Sequence, residues 1–328
     1  MSTWIDPRQL SRRGVLGMNR RNVAYIGRYN ERERYPLVDD KLKTKLIAHN
    51  AGVHVPKLLH VVSAQHEIED IEAKLEPLSE FVIKPAQGSG GKGILVIESK
   101  DDEGFIKSSG ERITLNTVKR HLSNIISGLH SLGGRYDVAI IESLVKVSAL
   151  FKNVSYEGVP DIRLIVFQGY PVMGMLRLAT TASDGKANLH QGAVGVGLDI
   201  GTGMSVAAVQ SNRVVKTHPD TGEDLTRLAV PNWRQLLILA AQCFEVTQLG
   251  YLGCDIVIDE NRGPLLLELN ARPGLSIQIA NDAGLLPRLR HIEELESFAP
   301  TVEDRVDYAM QTFSRMRRAE QTNLWEDQ

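Results

Sequence analysis

Three features of the sequence predict an α+β fold of two subdomains. From residue 40 onward, amphipathic stretches alternate with short apolar runs; a glycine-rich loop sits between two strand-forming runs; and an apolar hairpin lies toward the carboxyl end. With 328 residues the chain has the length for two or three subdomains around a substantial core. In order, Lys41–Asn50 reads as a short helix stopped by Gly52, residues 56–62 as a strand, 68–75 as a helix and 81–84 as a strand. The glycine loop spans 85–93 and leads into a strand at 94–98. Residues 114–132 are amphipathic, and 137–142 read as a buried strand. The runs 161–167 and 171–178 form a hairpin across Gly169-Tyr170. The longest helix covers 231–249, with Pro231 tolerated in its first turn and Gly250 as its stop, and the tail after Ile292 is charged and helical. No internal repeat or low-complexity linker interrupts this order.

A net charge of −2 and a pI near 6.5 give no electrostatic case for nucleic acid or an anionic membrane. The only cysteines are Cys243 and Cys254, so a reduced, cytoplasmic protein is the default expectation. No apolar run reaches the roughly 18 residues that would suggest a membrane span, and the amino terminus lacks the apolar core of a signal peptide. One local bias stands out: Arg8, Arg12, Arg13, Arg20, Arg21, Arg28, Arg32 and Arg34 face only Asp6, Glu31 and Glu33 before residue 35. Either this is a flexible basic arm, or its arginines border a site for an anion, which the guanidinium fork suits. Tyr25-Ile26 and Tyr35-Pro36-Leu37-Val38 argue for at least partial packing.

In the hairpin, two apolar runs flank Glu260-Asn261-Arg262-Gly263, which reads as a four-residue connection. If that connection is symmetric, Asp255 lies opposite Glu268, and Asn270 shares the face of Glu268. Bare carboxylates so placed repel, whereas two carboxylates and an amide oxygen suit a hard cation such as Mg²⁺. The other reading is a solvated polar face of an edge hairpin, against which stand the surrounding Leu, Ile and Val.

The glycine loop matches two fingerprints only in form. Gly88, Gly90 and Gly93 have dinucleotide-fold spacing, but the next five residues are strand-forming rather than helical, and Lys92 is followed by Gly93 rather than the Ser or Thr of a phosphate-binding P-loop. Strand, glycine loop, strand is the layout of a flap whose backbone N–H groups close over nucleotide phosphates, with Lys84 ending the incoming strand. A plain flexible hairpin is the alternative.

Taken in order, Asp40-Lys41, Val82-Ile83-Lys84-Pro85 with its glycine flap, Ile141-Glu142, Asp161-Ile162-Arg163, Asn188-Leu189-His190-Gln191-Gly192, and Asp255 with Glu268-Leu269-Asn270 and Pro273-Gly274 resemble the ATP-grasp superfamily, and within it the RimK-type α-L-glutamate ligases. The resemblance implies an ATP-grasp fold in which two α+β subdomains grip ATP between them. It divides the chain into a basic segment at 1–39, an amino-terminal part with the flap at 40–142, a carboxyl-terminal part with the metal site at 143–290, and a helical tail at 291–328.

It also implies roles. Lys41, Lys84 and the flap residues Gly88, Ser89, Gly90, Gly91, Lys92 and Gly93 would contact ATP phosphates. Glu142, Ser143 and Leu144 would meet the adenine edge, and Asp161, Lys186, Ala187, Asn188 and His190 would lie beside the nucleotide. Lys186 stands where glutamate ligases usually have Arg. Asp255, Glu268 and Asn270 would hold Mg²⁺, for which Mn²⁺ could substitute. Arg163, Arg177 and Arg272 would stabilise an acyl phosphate or grip a substrate carboxylate. A symmetric two-residue turn places Arg163 and Arg177 on opposite faces, so both serve only if a bulge intervenes.

The implied activity is ATP-dependent ligation of an amino acid, glutamate above all, to a carboxylate on a peptide, protein or metabolite, by an enzyme that could be a homo-oligomer. The contrasting expectation is a non-catalytic ATP-binding regulatory module. Two departures bear on substrate. Ahead of the Asp-Lys motif stand only roughly 38 residues instead of a full pre-ATP-grasp domain, and residues 17–36 resemble the start of ATP-grasp proteins of polysaccharide and sugar-transfer gene clusters. Residues 147–160 also lengthen the segment before Asp161.

Overall fold

The computed structural model describes residues 6–315, apart from 89, 132, 149–150 and 152. They form two compact units, one of residues 39–50 and 55–146, the other of the described residues before 39, at 51–54 and from 147 on.

The smaller unit is a six-stranded antiparallel sheet backed by helices. Its strands are β1 (Leu58–Val62), β2 (Phe81–Pro85), β3 (Leu95–Asp101), β4 (Gly104–Lys107), β5 (Arg112–Ile113) and β6 (Ala139–Glu142), in the order β1-β6-β2-β3-β4-β5. The predicted helix Lys41–Asn50 is present at those bounds. The amphipathic stretch is shorter than expected: Leu115–Ile126 is helical, started by Thr114, whose hydroxyl accepts from the Thr117 N–H. Its Val118, Leu122, Ile125 and Ile126 join Phe81, Ile83, Ile97 and Ile141 from the sheet in one apolar core, the 3.6-residue period meeting the two-residue period.

The larger unit holds a seven-stranded antiparallel sheet. Its strands are β7 (Asp161–Phe167), β8 (Tyr170–Leu178), β9 (Val194–Leu198), β10 (Ser205–Gln210), β11 (Arg213–Val215), β12 (Tyr251–Asp259) and β13 (Gly263–Asn270), ordered β11-β10-β9-β8-β7-β12-β13. Every residue of β12 is buried, which explains its nearly unbroken apolar sequence. The helix Trp233–Thr247 covers one face, where Cys254 Sγ lies 3.7 Å from the Ala240 carbonyl. Cys243 and Cys254 are buried free thiols.

The described part of the basic amino-terminal segment is packed and helical, not a flexible arm. Residues 18–29 run as continuous helical turns, and Tyr25 stacks edge-on against Phe167, 5.6 Å between ring centres. Asn30 fixes the segment's end, donating to the Tyr251 carbonyl at 2.7 Å and accepting from the Tyr251 N–H at 2.8 Å. Past Ile292 the chain turns before a further helix at Val302–Phe313; the rest of the tail lies outside the described residues. Among the described residues no helix is long and apolar enough to cross a membrane.

Candidate functional site

The hairpin of β12 and β13 pairs Asp255 with Glu268, as expected, but by a different route. Its turn has three residues, because Asp259 pairs with Gly263, which takes a left-handed φ of +71°. Asp259 builds the turn, its Oδ1 accepting from the N–H groups of Asn261 and Arg262 at 3.0 Å each. A bulge lies between Asp255 and Ile256, where Leu267 is the extra residue, and this one-residue slip restores the Asp255–Glu268 pairing.

A second bulge settles the two arginines. The β7–β8 turn is Gln168-Gly169, with φ of +50° and +80°, one residue earlier than expected. Between Ile165 and Val166 the register shifts past Val172, so Asp161 pairs with Arg177 and Arg163 with Met175. Arg163 and Arg177 therefore share a face, and Arg163 is also the direct neighbour of Asp255 on β12.

These registers assemble a buried charge cluster. Arg163 grips both oxygens of Asp255, through Nε and through Nη2 at 2.6 Å. Arg177 does the same to Asp161, with Nη2 at 2.6 Å, and shares that nitrogen with Asp255 Oδ2 at 2.8 Å. Asn270 Nδ2 approaches the same oxygen at 3.4 Å. Burial alone would raise the Asp255 pKa, but Arg163 and Arg177 outweigh it and bring it down to about 2. Asp161 goes the other way: burial, opposed by Arg177 but reinforced by the Asp255 charge, pushes it up to about 6. Burial works against the Arg177 charge, yet Asp161 and Asp255 hold its pKa above the usual value.

The donor chemistry of Asp255, Glu268 and Asn270 fits a hard divalent cation. Opposed carboxylates need a compensating positive charge, and in this structure guanidinium supplies it to Asp255. Among the described residues no cluster of three or more His, Cys, Asp or Glu is placed to hold a metal, so Asn270 is needed to complete the set.

The smaller unit carries a second buried cluster. Glu142, on β6, lies 2.6 Å from Lys84 Nζ through Oε1 and 2.8 Å from Lys45 Nζ through Oε2. Burial would raise the Glu142 pKa, but Lys84 and then Lys45 lower it. Lys45 was not among the expected site residues; it lies one helical turn after Lys41 and also donates to the Pro56 carbonyl at 2.6 Å. The signal for it was a lysine spaced i, i+4 from the Asp-Lys motif. Ser143 makes a backbone bond from its N–H to the Lys57 carbonyl at 2.9 Å, so this N–H is already engaged rather than presented to an adenine edge. Leu144 comes directly after it.

The flap lies between β2 and β3, paired at Phe81–Ile97, Val82–Val96 and Ile83–Leu95, the strand–loop–strand layout read from sequence. Its two ends are fixed. Lys41 Nζ donates to the Gly88 carbonyl at 2.6 Å, and a Cβ on Gly88 would meet the Pro85 ring at 2.3 Å. At the other end His121 Nε2 lies 3.0 Å from the Gly93 carbonyl, and a Cβ on Gly93 would strike His130 at 2.5 Å. A Cβ on Gly90 or Gly91, at φ of +63° and +75°, would meet nothing within 4 Å, so the tip carrying Lys92 is open. Ser89 lies outside the described residues.

Other expected site residues are not drawn into either cluster. Arg272 is exposed, stacked 5.3 Å over the Tyr35 ring. Lys186 is exposed and pairs with Asp184 at 3.0 Å. Ala187 precedes Asn188, whose Oδ1 accepts from the His190 N–H at 3.0 Å to start the turn Leu189–Gln191.

The two antiparallel sheets, the glycine flap between β2 and β3, and the carboxylate pair of β12 and β13 define an ATP-grasp fold. More narrowly, the model of the sugar-transfer associated ATP-grasp family matches residues 20–294, and the chain belongs to that family. No curated protein matches it. Similar solved structures include the ATP-grasp ligase PsnB complexed with minimal precursor, at 12% identity and a TM-score of 0.44 over 86% of this chain and 63% of that one. The D-cycloserine synthetase DcsG is similar at 16% identity and 0.45, over 79% and 71% of the two chains. The D-alanine–D-alanine ligase from Bacillus anthracis complexed with ATP is similar at 14% and 0.44, over 89% and 71%. The chain thus spans less than two thirds of the PsnB chain.

Proposed function

We propose that this protein is an ATP- and Mg²⁺-dependent carboxylate–amine ligase that works through an acyl phosphate. The observation that carries the reading is the shared sheet face of Asp255, Glu268, Asn270, Arg163 and Arg177: cation ligands beside two buried guanidiniums. A carboxylate is a poor acyl donor. Transfer of the γ-phosphoryl group from ATP to a carboxylate oxygen yields an acyl phosphate and ADP; an amine then attacks the carbonyl carbon, losing a proton as phosphate leaves, and an amide remains. Such chemistry is mainly positioning and charge neutralisation and needs no nucleophilic side chain.

The residues divide this work. Asp255, Glu268 and Asn270 would hold Mg²⁺, or Mn²⁺ in its place, and the bound cation would neutralise and orient phosphate oxygens. Arg163 and Arg177, which hold Asp255 and Asp161, would also have to meet the transferring phosphoryl group or the acid with their remaining N–H groups. Lys41 and Lys84 would meet ATP phosphates, with the flap tip at Gly90, Gly91 and Lys92 closing over them to exclude water. Glu142 would then act through Lys84, holding its ammonium in place, and Asp161 through Arg177.

Glutamate is the amine this reading favours, and a peptide, protein or metabolite carboxylate the acceptor. A second version, ligation in polysaccharide or envelope modification, is favoured by the family's association with sugar transfer and by a match that begins within the amino-terminal segment. A coupled ADP-release assay across amino acids and glutamate-ended peptides tests both. Acid- and amine-dependent ADP formation is expected; tight ATP binding with no such dependence would leave a non-catalytic ATP-binding module.

A further inference from the structure

The larger unit contains a cleft of about 1360 Å³, and of the residues given roles above only His190 lines it. Its walls come from the amino-terminal segment, the loop after β13 and the end of the helix Val302–Phe313. It is a built feature. Gln278 is buried and fully engaged across it, accepting from the N–H groups of Leu16 and Leu285 at 2.8 and 2.9 Å and donating to the Leu16 carbonyl at 3.1 Å. Gly14 and Gly284 cross so closely that a Cβ on Gly284 would lie 2.1 Å from the Gly14 backbone. The N–H of Leu286 donates to the Gly14 carbonyl at 3.0 Å.

The chemistry of the lining is two-sided. Leu16, Leu275 and Ile279 make it apolar, while Arg13, Arg21 and Arg315 line it together with a single carboxylate, Asp282. Arg21 and Arg315 bond to the Pro273 and Asn281 carbonyls, which satisfy donors without cancelling charge, and Arg13, Arg21 and Arg315 make no ion pair among the described residues. An apolar cavity with uncompensated guanidiniums suits an amphipathic anion. Its volume exceeds the roughly 300–1,000 Å³ of a typical small-ligand pocket, so a free amino acid would not fill it.

The position of the cleft points the same way. Past Asn270 the chain folds Pro273 over Gly253, beside Arg163, and then enters the cleft wall as Gly274 and Leu275. Arg21 holds that passage, donating to the Pro273 carbonyl at 2.8 Å.

The geometry points to this cleft as the binding site for the acid substrate, a carboxylate carried on an apolar body larger than an amino acid. Its role in ligation rests on the function proposed above; its binding preference does not.

The test uses the full chain and three probes with one large apolar body: 4-(1-pyrenyl)butyrate, 4-(1-pyrenyl)butanol and 4-(1-pyrenyl)butylamine, titrated calorimetrically. The acid is expected to bind at one site, about tenfold or more tighter than the alcohol or amine. Arg13→Glu and, at an exposed lining position, Ile279→Asp should each weaken it about tenfold while leaving ATP binding unchanged. Equal binding of all three probes, no binding of the acid, or indifference to both substitutions would overturn the assignment. The two readings fail separately: acid binding without acid-dependent ADP formation sinks the ligase alone, and ADP formation unaffected by the two substitutions sinks the cleft alone.

Discussion

The two buried charge clusters solve the same problem with different cations. In the smaller unit Glu142 sits between the ammoniums of Lys45 and Lys84, two positive charges against one negative. In the larger unit Arg163 and Arg177 interlock with Asp161 and Asp255, two against two, with Glu268 on the neighbouring strand. An ammonium is a compact charge that sheds its proton under strain; a guanidinium stays charged and bonds in a fixed fork. The lysine cluster therefore holds one carboxylate between two compact cations, and the arginine cluster fixes geometry around Asp255. The function proposed above would use the first for phosphate contact and the second for cation placement.

The sharpest way to break the contrast is to remove the acid from each cluster. Asp255→Asn leaves Arg163 and Arg177 with only Asp161, and should cost about 3–5 kcal/mol in chemical denaturation. Glu142→Gln, which takes the shared carboxylate from Lys45 and Lys84, should cost about 3 kcal/mol in the same measurement. A loss below about 1 kcal/mol in either variant would show that its carboxylate does not hold its cluster together.

The next effect is on acid titration. Glu142 and Asp255 have depressed pKa values in the folded state, so their stabilisation is whole above the ordinary carboxylate range and is lost as pH falls through it. Asp161 has the opposite sign. With its folded pKa raised from 3.8 to about 6, the native state holds the extra proton between those values, and stability falls as pH rises through that window. Asp161→Asn should flatten that limb of the stability profile; an unchanged slope would place the titration elsewhere. The smallest effect belongs to Arg272, exposed over Tyr35, where Arg272→Ala should cost about 0.5 kcal/mol. A large loss of turnover with that small loss of stability would bring Arg272 back as a substrate contact.

Much of this was legible in the residues because both sheets are buried and their patterns are strong. The helix Lys41–Asn50 was readable to the residue, and the flap was distinguishable from helix-opening glycine loops by the strand-forming run after it. The Asp255–Glu268 pairing was inferred from a four-residue turn that does not exist; a three-residue turn and a bulge at Leu267 cancel to the same register. Bulges leave no sequence mark of their own, which is why the faces of Arg163 and Arg177 stayed conditional until the β7–β8 register was known. β9 escaped notice because its Val-Gly-Val-Gly-Leu sequence carries glycine at alternate positions, the residue least favoured in strands. The ion pairs of Asp255 were hidden for another reason: they join three strands distant in sequence, and no local spacing encodes them.

The central claim, that the face of Asp255, Glu268 and Asn270 is where a divalent cation meets ATP, is tested most directly by calorimetric ATP binding with and without Mg²⁺ to the wild type and Glu268→Gln. Mg²⁺ is expected to strengthen binding to the wild type, and the substitution to remove that increment while leaving metal-free binding and the fold intact. A Mg²⁺ increment of the same size in Glu268→Gln would contradict it.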